Sequence, residues 1–215
     1  MPSRDPERSQ KAVDTAQSYL RRERPLNALI MLLTVSAFLG TYLVTSLLLA
    51  IPAGAILIIF MRFPIFQSKG TFRLRTNDNL NTVIDEFSGP VPPVLALQWG
   101  MADEISIEDD TAVYSVSYLF GLQSADVAVQ TETNPTADSG SVIESEVTIN
   151  GQPWATYTST VSTSGKYTTI DVTYTSNRRF GLRRVPQQII ANQYRDEILS
   201  VQGYTVVTRD AHFGI

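Results

Sequence analysis

From Pro25 to Met61 the chain carries no charged residue, an apolar run of 37 positions closed by Arg24 on one side and Arg62 on the other. As one straight helix, Leu26 to Met61 would span about 54 Å, against a bilayer hydrocarbon core of about 30 Å. Two helices of roughly 16 to 18 residues joined by a minimal turn match that thickness better. The turn is placed near Gly40-Thr41-Tyr42, with Pro52-Ala53-Gly54 as a second position for the break. Upstream, Ala12, Val13, Ala16, Tyr19 and Leu20 fall near one helical face. That pattern predicts either a short amphipathic helix on a membrane surface or a continuation of the first membrane helix through Pro25.

Beyond Arg62 the period changes. Thr71 to Thr76 alternates, with Phe72 and Leu74 opposite Arg73 and Arg75, and predicts a strand. Leu80, Val83, Ile84 and Phe87 recur at helical spacing after a cap at Asn79 or Asn77, and Gly89-Pro90 ends that helix. Pro90, Pro92 and Pro93 form a rigid connection into Val94–Trp99, read as a strand. Period-two segments follow: Ile105 and Ile107; a turn at Asp109-Asp110; Tyr114, Val116, Tyr118 and Phe120; a turn over 121–124; Val127 and Val129. After a polar loop at 134–140, Asn150-Gly151 and Ser164-Gly165 separate strands at Val142–Ile149, Trp154–Ser162 and Tyr167–Ser176 into an antiparallel meander. Past Pro186, Ile190, Tyr194, Ile198 and Val201 return to helical spacing, and Gly203 closes the last helix. The fold class is therefore α+β.

Charge refines this division. No Lys or Arg occurs from Thr76 to Gly165, ninety residues that hold thirteen acids, whereas seven cations and four acids follow from Lys166 onward. Nucleic acid needs a basic stripe and is a poor partner for such a surface. Arg outnumbers Lys 14 to 3, and an acidic, lysine-poor surface fits a salt-adapted protein, with ordinary acidic drift as the alternative. Arg21, Arg22 and Arg24 before the apolar run, with Arg62, Lys69, Arg73 and Arg75 after it, place both flanks on the cytoplasmic side. The expectation is a cell-membrane protein with two spans and a cytoplasmic domain; a single span with an external domain is the alternative. There is no cysteine and one histidine, His212, so thiol chemistry, histidine triads and multi-histidine metal sites need another chain.

The segments Thr71–Phe87, Ala112–Ser176 and Pro186–Gln202 together resemble the helix-grip fold of the START and polyketide-cyclase-like (SRPBCC) superfamily. The blocks Pro92–Gly100 and Arg178–Gln188 are similar to uncharacterised haloarchaeal membrane proteins. The resemblance implies a curved antiparallel sheet packed on a long C-terminal helix around a lipophilic cavity. Pro90, Pro92 and Pro93 stand where that pattern has a second short helix, which implies a cavity reduced or absent. The organisation expected is an N-terminal segment at 1–25, a transmembrane helical hairpin at 26–61, a linker at 62–70 and a helix-grip-like domain at 71–215.

Candidate pocket residues are Trp99, Tyr114, Tyr118, Trp154, Tyr157 and Tyr194, although aromatic strand residues are more often plain core. Arg178, Arg179, Arg183 and Arg184 are candidates for anionic lipid headgroups or for pairing with the domain's own acids. Asp103, Glu104, Glu108, Asp109 and Asp110 lack EF-hand spacing and read as solvated surface, so no metal or cofactor is expected. Ser164-Gly165-Lys166 lacks the earlier glycine of a phosphate loop. No acid–base constellation is legible, so catalysis is not expected. The leading expectation is a membrane-anchored domain that binds or presents a lipophilic ligand or lipid at the cytoplasmic membrane face. The alternative is a non-catalytic structural or interaction module that docks a partner membrane protein.

Overall fold

The computed structural model describes residues 6, 8–108, 110–118, 123–136 and 140–214. Helix α1 (Gln10–Val44) runs 35 residues with Pro25 inside it. It stops at Thr45, whose backbone N–H and hydroxyl both donate to the Thr41 carbonyl. Helix α2 (Leu47–Arg62) then returns alongside it, and Gly54 lies so close to Phe38 that a Cβ there would sit 2.7 Å from the ring. Gly40 stays helical with open space around it, so the break falls five residues beyond the expected turn.

The two-span expectation is corrected here. Among the described helices only α1 is long and apolar enough to cross a membrane, and none of its apolar window is buried. Helix α2 has 16 residues, about 24 Å of rise against a core of about 30 Å. The even division assumed that the first helix begins at Leu26. It begins at Gln10, and its first turns belong to the domain: Ala12, Ala16 and Tyr19 are buried in the main hydrophobic core.

Strand β1 (Phe66–Thr76) leads into α3 (Leu80–Ser88), capped by the Asn79 side chain, which accepts from the Thr82 N–H at 2.9 Å. Such a cap stabilises by about 1 kcal/mol. The segment read as a strand at Val94–Trp99 is a 3₁₀ turn (Pro93–Leu95) running into the short helix α4 (Ala96–Gly100). Every residue from Pro92 to Gly100 is buried, so the segment has no polar face from which its period could be read. The prolines start this helical turn, so the expected replacement of a helix by a rigid linker does not occur.

The remaining strands are β2 (Glu104–Glu108), β3 (Thr111–Tyr118), β4 (Gln123–Pro135), β5 (Ser141–Ile149), β6 (Gln152–Ser164) and β7 (Tyr167–Phe180). A 3₁₀ turn (Leu182–Arg184) precedes α5 (Val185–Val201), and a last strand, β8 (Thr205–Gly214), follows it. All pairings are antiparallel, in the order β2-β3-β4-β5-β6-β7-β1-β8. The expectation of a curved sheet gripping a C-terminal helix is therefore corrected. The sheet is open, with β2 and β8 as its edges, and α5 is followed by a strand that pairs with β1. The architecture is α+β with five helices and an eight-stranded antiparallel sheet.

Burial alternates along the strands, as in β5, where Ile143, Ser145 and Val147 point inward and Glu144 and Glu146 outward. The inner face carries Leu74, Tyr114, Val161 and Ile170, packed with Val83 and Phe87 of α3, Leu95, Trp99 of α4 and Ile198 of α5. Helix α1 lies over α4 and α5 as a further layer. The outer sheet face is left to solvent.

Candidate functional site

The space between the sheet and α5 is where a ligand cavity was expected. Trp99 is 1% exposed, and its indole N–H donates to the Pro92 carbonyl at 3.0 Å. The buried Tyr114 hydroxyl donates to the Pro90 carbonyl at 2.7 Å. Both aromatics thus tie the proline segment to the sheet, since a buried indole or phenol needs a partner for its donor. Tyr194 faces α1 instead, edge-on to Tyr19 at 5.7 Å and beneath the Arg22 guanidinium at 5.8 Å. Trp154 is partly buried at the rim of the core. The Tyr118 side chain lies outside the described residues.

Of these candidates Tyr157 borders a void, in company with Phe72, Tyr174, Arg195 and Arg209. That void measures about 10 Å³, room for one water-sized particle. A pocket for a lipophilic small molecule needs roughly 300 Å³ or more. Tyr157 and Tyr174 stack at 5.9 Å, and Phe72 and Tyr174 approach at 6.3 Å, so aromatic rings occupy the volume that a ligand would need.

Polar groups gather around the void. Arg209, only 16% exposed, pairs with Asp196 and lies over the Phe72 ring at 4.7 Å. Arg195 Nη1 donates to Asn192 Oδ1 at 3.1 Å. The Nε atoms of both arginines and Gln98 Oε1 are buried without a hydrogen-bond partner. Burial holds the Tyr157 phenol above its ordinary range, against the opposing pull of Arg195 and of a Gln98 hydrogen bond, so its hydroxyl stays a donor. Asp196 is committed to Arg209, and among the described residues no cluster of three or more His, Asp or Glu side chains is arranged to hold a metal ion. The arrangement can hold a small species, and among the described residues that line it there is no carboxylate, histidine or thiol. Arg209 escaped the sequence reading because its strand was not recognised, and Arg195 because it lay off the apolar helical face.

A shallow open groove of about 340 Å³ lies on the outer sheet face between Arg73, Arg75, Tyr167 and Asp171. Arg73 makes a bidentate pair with Asp171 at 2.6 and 3.0 Å, which raises the guanidinium's pKa, and Arg75 stacks over Tyr167 at 4.7 Å. Across the same face, Glu132, Glu144 and Glu146 of β4 and β5 stand opposite in charge to Lys69, Arg73 and Arg75 of β1.

Arg178, Arg179, Arg183 and Arg184 are all exposed, and among the described residues none makes an ion pair. They flank Gly181, which packs against the Met61 and Arg62 backbone at the end of α2. Arg21, Arg22 and Arg62 are exposed at the same junction, where Gln187 Nε2 donates to Glu23 at 3.1 Å. From this base the two helices project. Among the described residues, seventeen of the twenty-four large exposed hydrophobic ones, from Leu29 to Phe60, lie on them, and Leu43, Val44 and Leu48 are each more than 80% exposed.

No protein-family model matches the chain, and no curated protein matches it. Distant likenesses exist among solved structures. The Mll3558 protein from Rhizobium loti shares 19% identity over 63% of this chain and 96% of its own, with a TM-score of 0.41. A START superfamily protein from Mycobacterium smegmatis shares 10% identity over 63% of this chain and 97% of its own, at 0.40. A conserved protein from Geobacillus kaustophilus shares 10% over 68% and 99%, at 0.38. Likenesses this remote carry no weight in the functional argument, which rests on the chain's own geometry.

Proposed function

We propose that this chain is a lipid-attached interaction module without catalytic chemistry. Its apolar arm enters a bilayer, its arginine belt meets anionic headgroups, and its uncovered sheet face is presented to a partner protein. The observation that carries the reading is the arm: residues 26–62 expose leucine, isoleucine and valine on nearly every side, and only Ala50 and Gly54 are buried there among the described residues. Contiguous apolar surface of this extent is not left in water by a stable soluble protein. The belt supports the same reading, because each arginine near an anionic leaflet gains about 1 kcal/mol before screening. The charge-segregated outer sheet face supports a protein partner through electrostatic complementarity. The filled space beneath the sheet weighs against capture of a lipophilic molecule in the domain's interior.

Flotation tests this reading. The full chain is mixed with liposomes of phosphatidylcholine and phosphatidylglycerol and spun through a density gradient in about 1 M salt, where screening confines electrostatics to about 3 Å. The chain is expected to float with the lipid, and the double variant Leu32→Asp, Leu48→Asp to remain in the dense fractions, since an aspartate at a helix centre costs about 3 kcal/mol in lipid. A wild-type chain that stays with the buffer overturns the proposal.

A further inference from the structure

The void beneath the sheet has a charge imbalance that its small size does not explain. Two guanidinium groups border it, from α5 and β8, and one carboxylate answers them, Asp196, which is taken by Arg209. Among the described residues Arg195 has no carboxylate partner, only the neutral Asn192 oxygen. Both Nε–H groups are buried without acceptors beside the same void. A buried donor left unpaired is destabilising, and more so when it is charged. A water molecule would satisfy the donors without placing a negative charge beside the two guanidinium groups.

From this cluster we infer that the void between β1, β6, β7, β8 and α5 is a binding site for a single small anion of halide size. Arg195 Nε and Arg209 Nε donate to it, and the Tyr157 hydroxyl closes the set. The volume of about 10 Å³ is room for one water-sized particle and too small for phosphate, sulfate and carboxylate ligands. A bound anion there pins α5 to β8 and β1 by joining the one guanidinium already paired to the one that is not. The site stands apart from the bilayer reading, since it would bind equally in micelles.

The test uses the full chain in detergent micelles, with potassium chloride exchanged for potassium gluconate at constant ionic strength. Gluconate is too large for the void, so the exchange isolates the halide. The unfolding midpoint is expected to rise by about 3 to 5 °C per tenfold increase in chloride above its dissociation constant. Arg195→Met should remove that dependence. A midpoint independent of the chloride fraction, or a dependence retained in Arg195→Met, overturns the inference. A second measurement needs no variant: in crystals of the wild-type chain grown with sodium bromide, an anomalous peak between Arg195, Arg209 and Tyr157 supports the site. Bromide peaks confined to the surface contradict it.

Discussion

Tyr204 joins the last strand to the first helix of the domain. Its ring is buried edge-on to Phe87 at 5.6 Å, and its hydroxyl donates to the Glu86 carboxylate. Burial raises the phenol's pKa above its ordinary 10.0, and the hydrogen bond to Glu86 together with the charges of Glu86 and Asp78 push the same way. The folded state therefore keeps the proton where the unfolded chain releases it. Its contribution is complete below the ordinary phenol value and is lost as pH climbs above it toward the raised one. Urea midpoints measured from about pH 8 to 11.5 should fall steeply past about pH 10 in the wild type. Tyr204→Phe should be weaker by about 1 kcal/mol at neutral pH and decline less steeply above pH 10, with Tyr114 and Tyr157, also raised by burial, supplying remaining slope. Equal slopes in the two proteins would contradict this assignment. At this scale the sequence is informative about burial and silent about partners. Trp99 and Tyr114 are legible as core aromatics, but nothing in their spacing reveals that they hold the Pro92 and Pro90 carbonyls.

Elements report on themselves unevenly. The β5–β6 hairpin was legible because Asn150 and Gly151 adopt φ of 50° and 71°, the two positive angles that a type I′ turn requires and that this dipeptide tolerates best. Helix α3 was legible through its Asn79 cap and apolar face. Helix α4 was not, being buried on all sides, nor was β8, whose adjacent Val206 and Val207 break a period of two at an edge where the pairing shifts register. The joint between α1 and the domain also escaped notice, because Ala12 and Ala16 look like any small helical residues. Their role appears only against Gly100, where a Cβ would lie 2.7 Å from that of Ala16. Gly100→Leu overpacks this contact and should cost about 1 to 3 kcal/mol. Hydrogen exchange should then quicken across residues 10–20 and hold steady across β5. Unchanged protection in residues 10–20 would show that α1 does not depend on this contact.

At the scale of the whole molecule, the chain has three surfaces of different chemistry. The arm is apolar and exposed, the junction carries exposed arginines, and the outer sheet face runs from acidic at β4 and β5 to basic at β1. The first was plain in the sequence as an uncharged run, although its division between α1 and α2 was not, because helix α1 starts inside the domain and spends its first turns there. The junction was visible as four arginines near Pro186 but not as a belt, since Arg62 and the Gly181 contact are distant in sequence. The lack of native cysteine permits a direct test of where these surfaces sit. Leu33→Cys on the arm and Thr160→Cys on the outer sheet face are labelled singly with an environment-sensitive fluorophore, and the full chain is reconstituted into liposomes containing spin-labelled lipid. The account predicts blue-shifted, lipid-quenched emission at position 33 and water-like, unquenched emission at position 160. Water-like emission at position 33 in the presence of lipid would contradict the central claim that the arm lies in the bilayer.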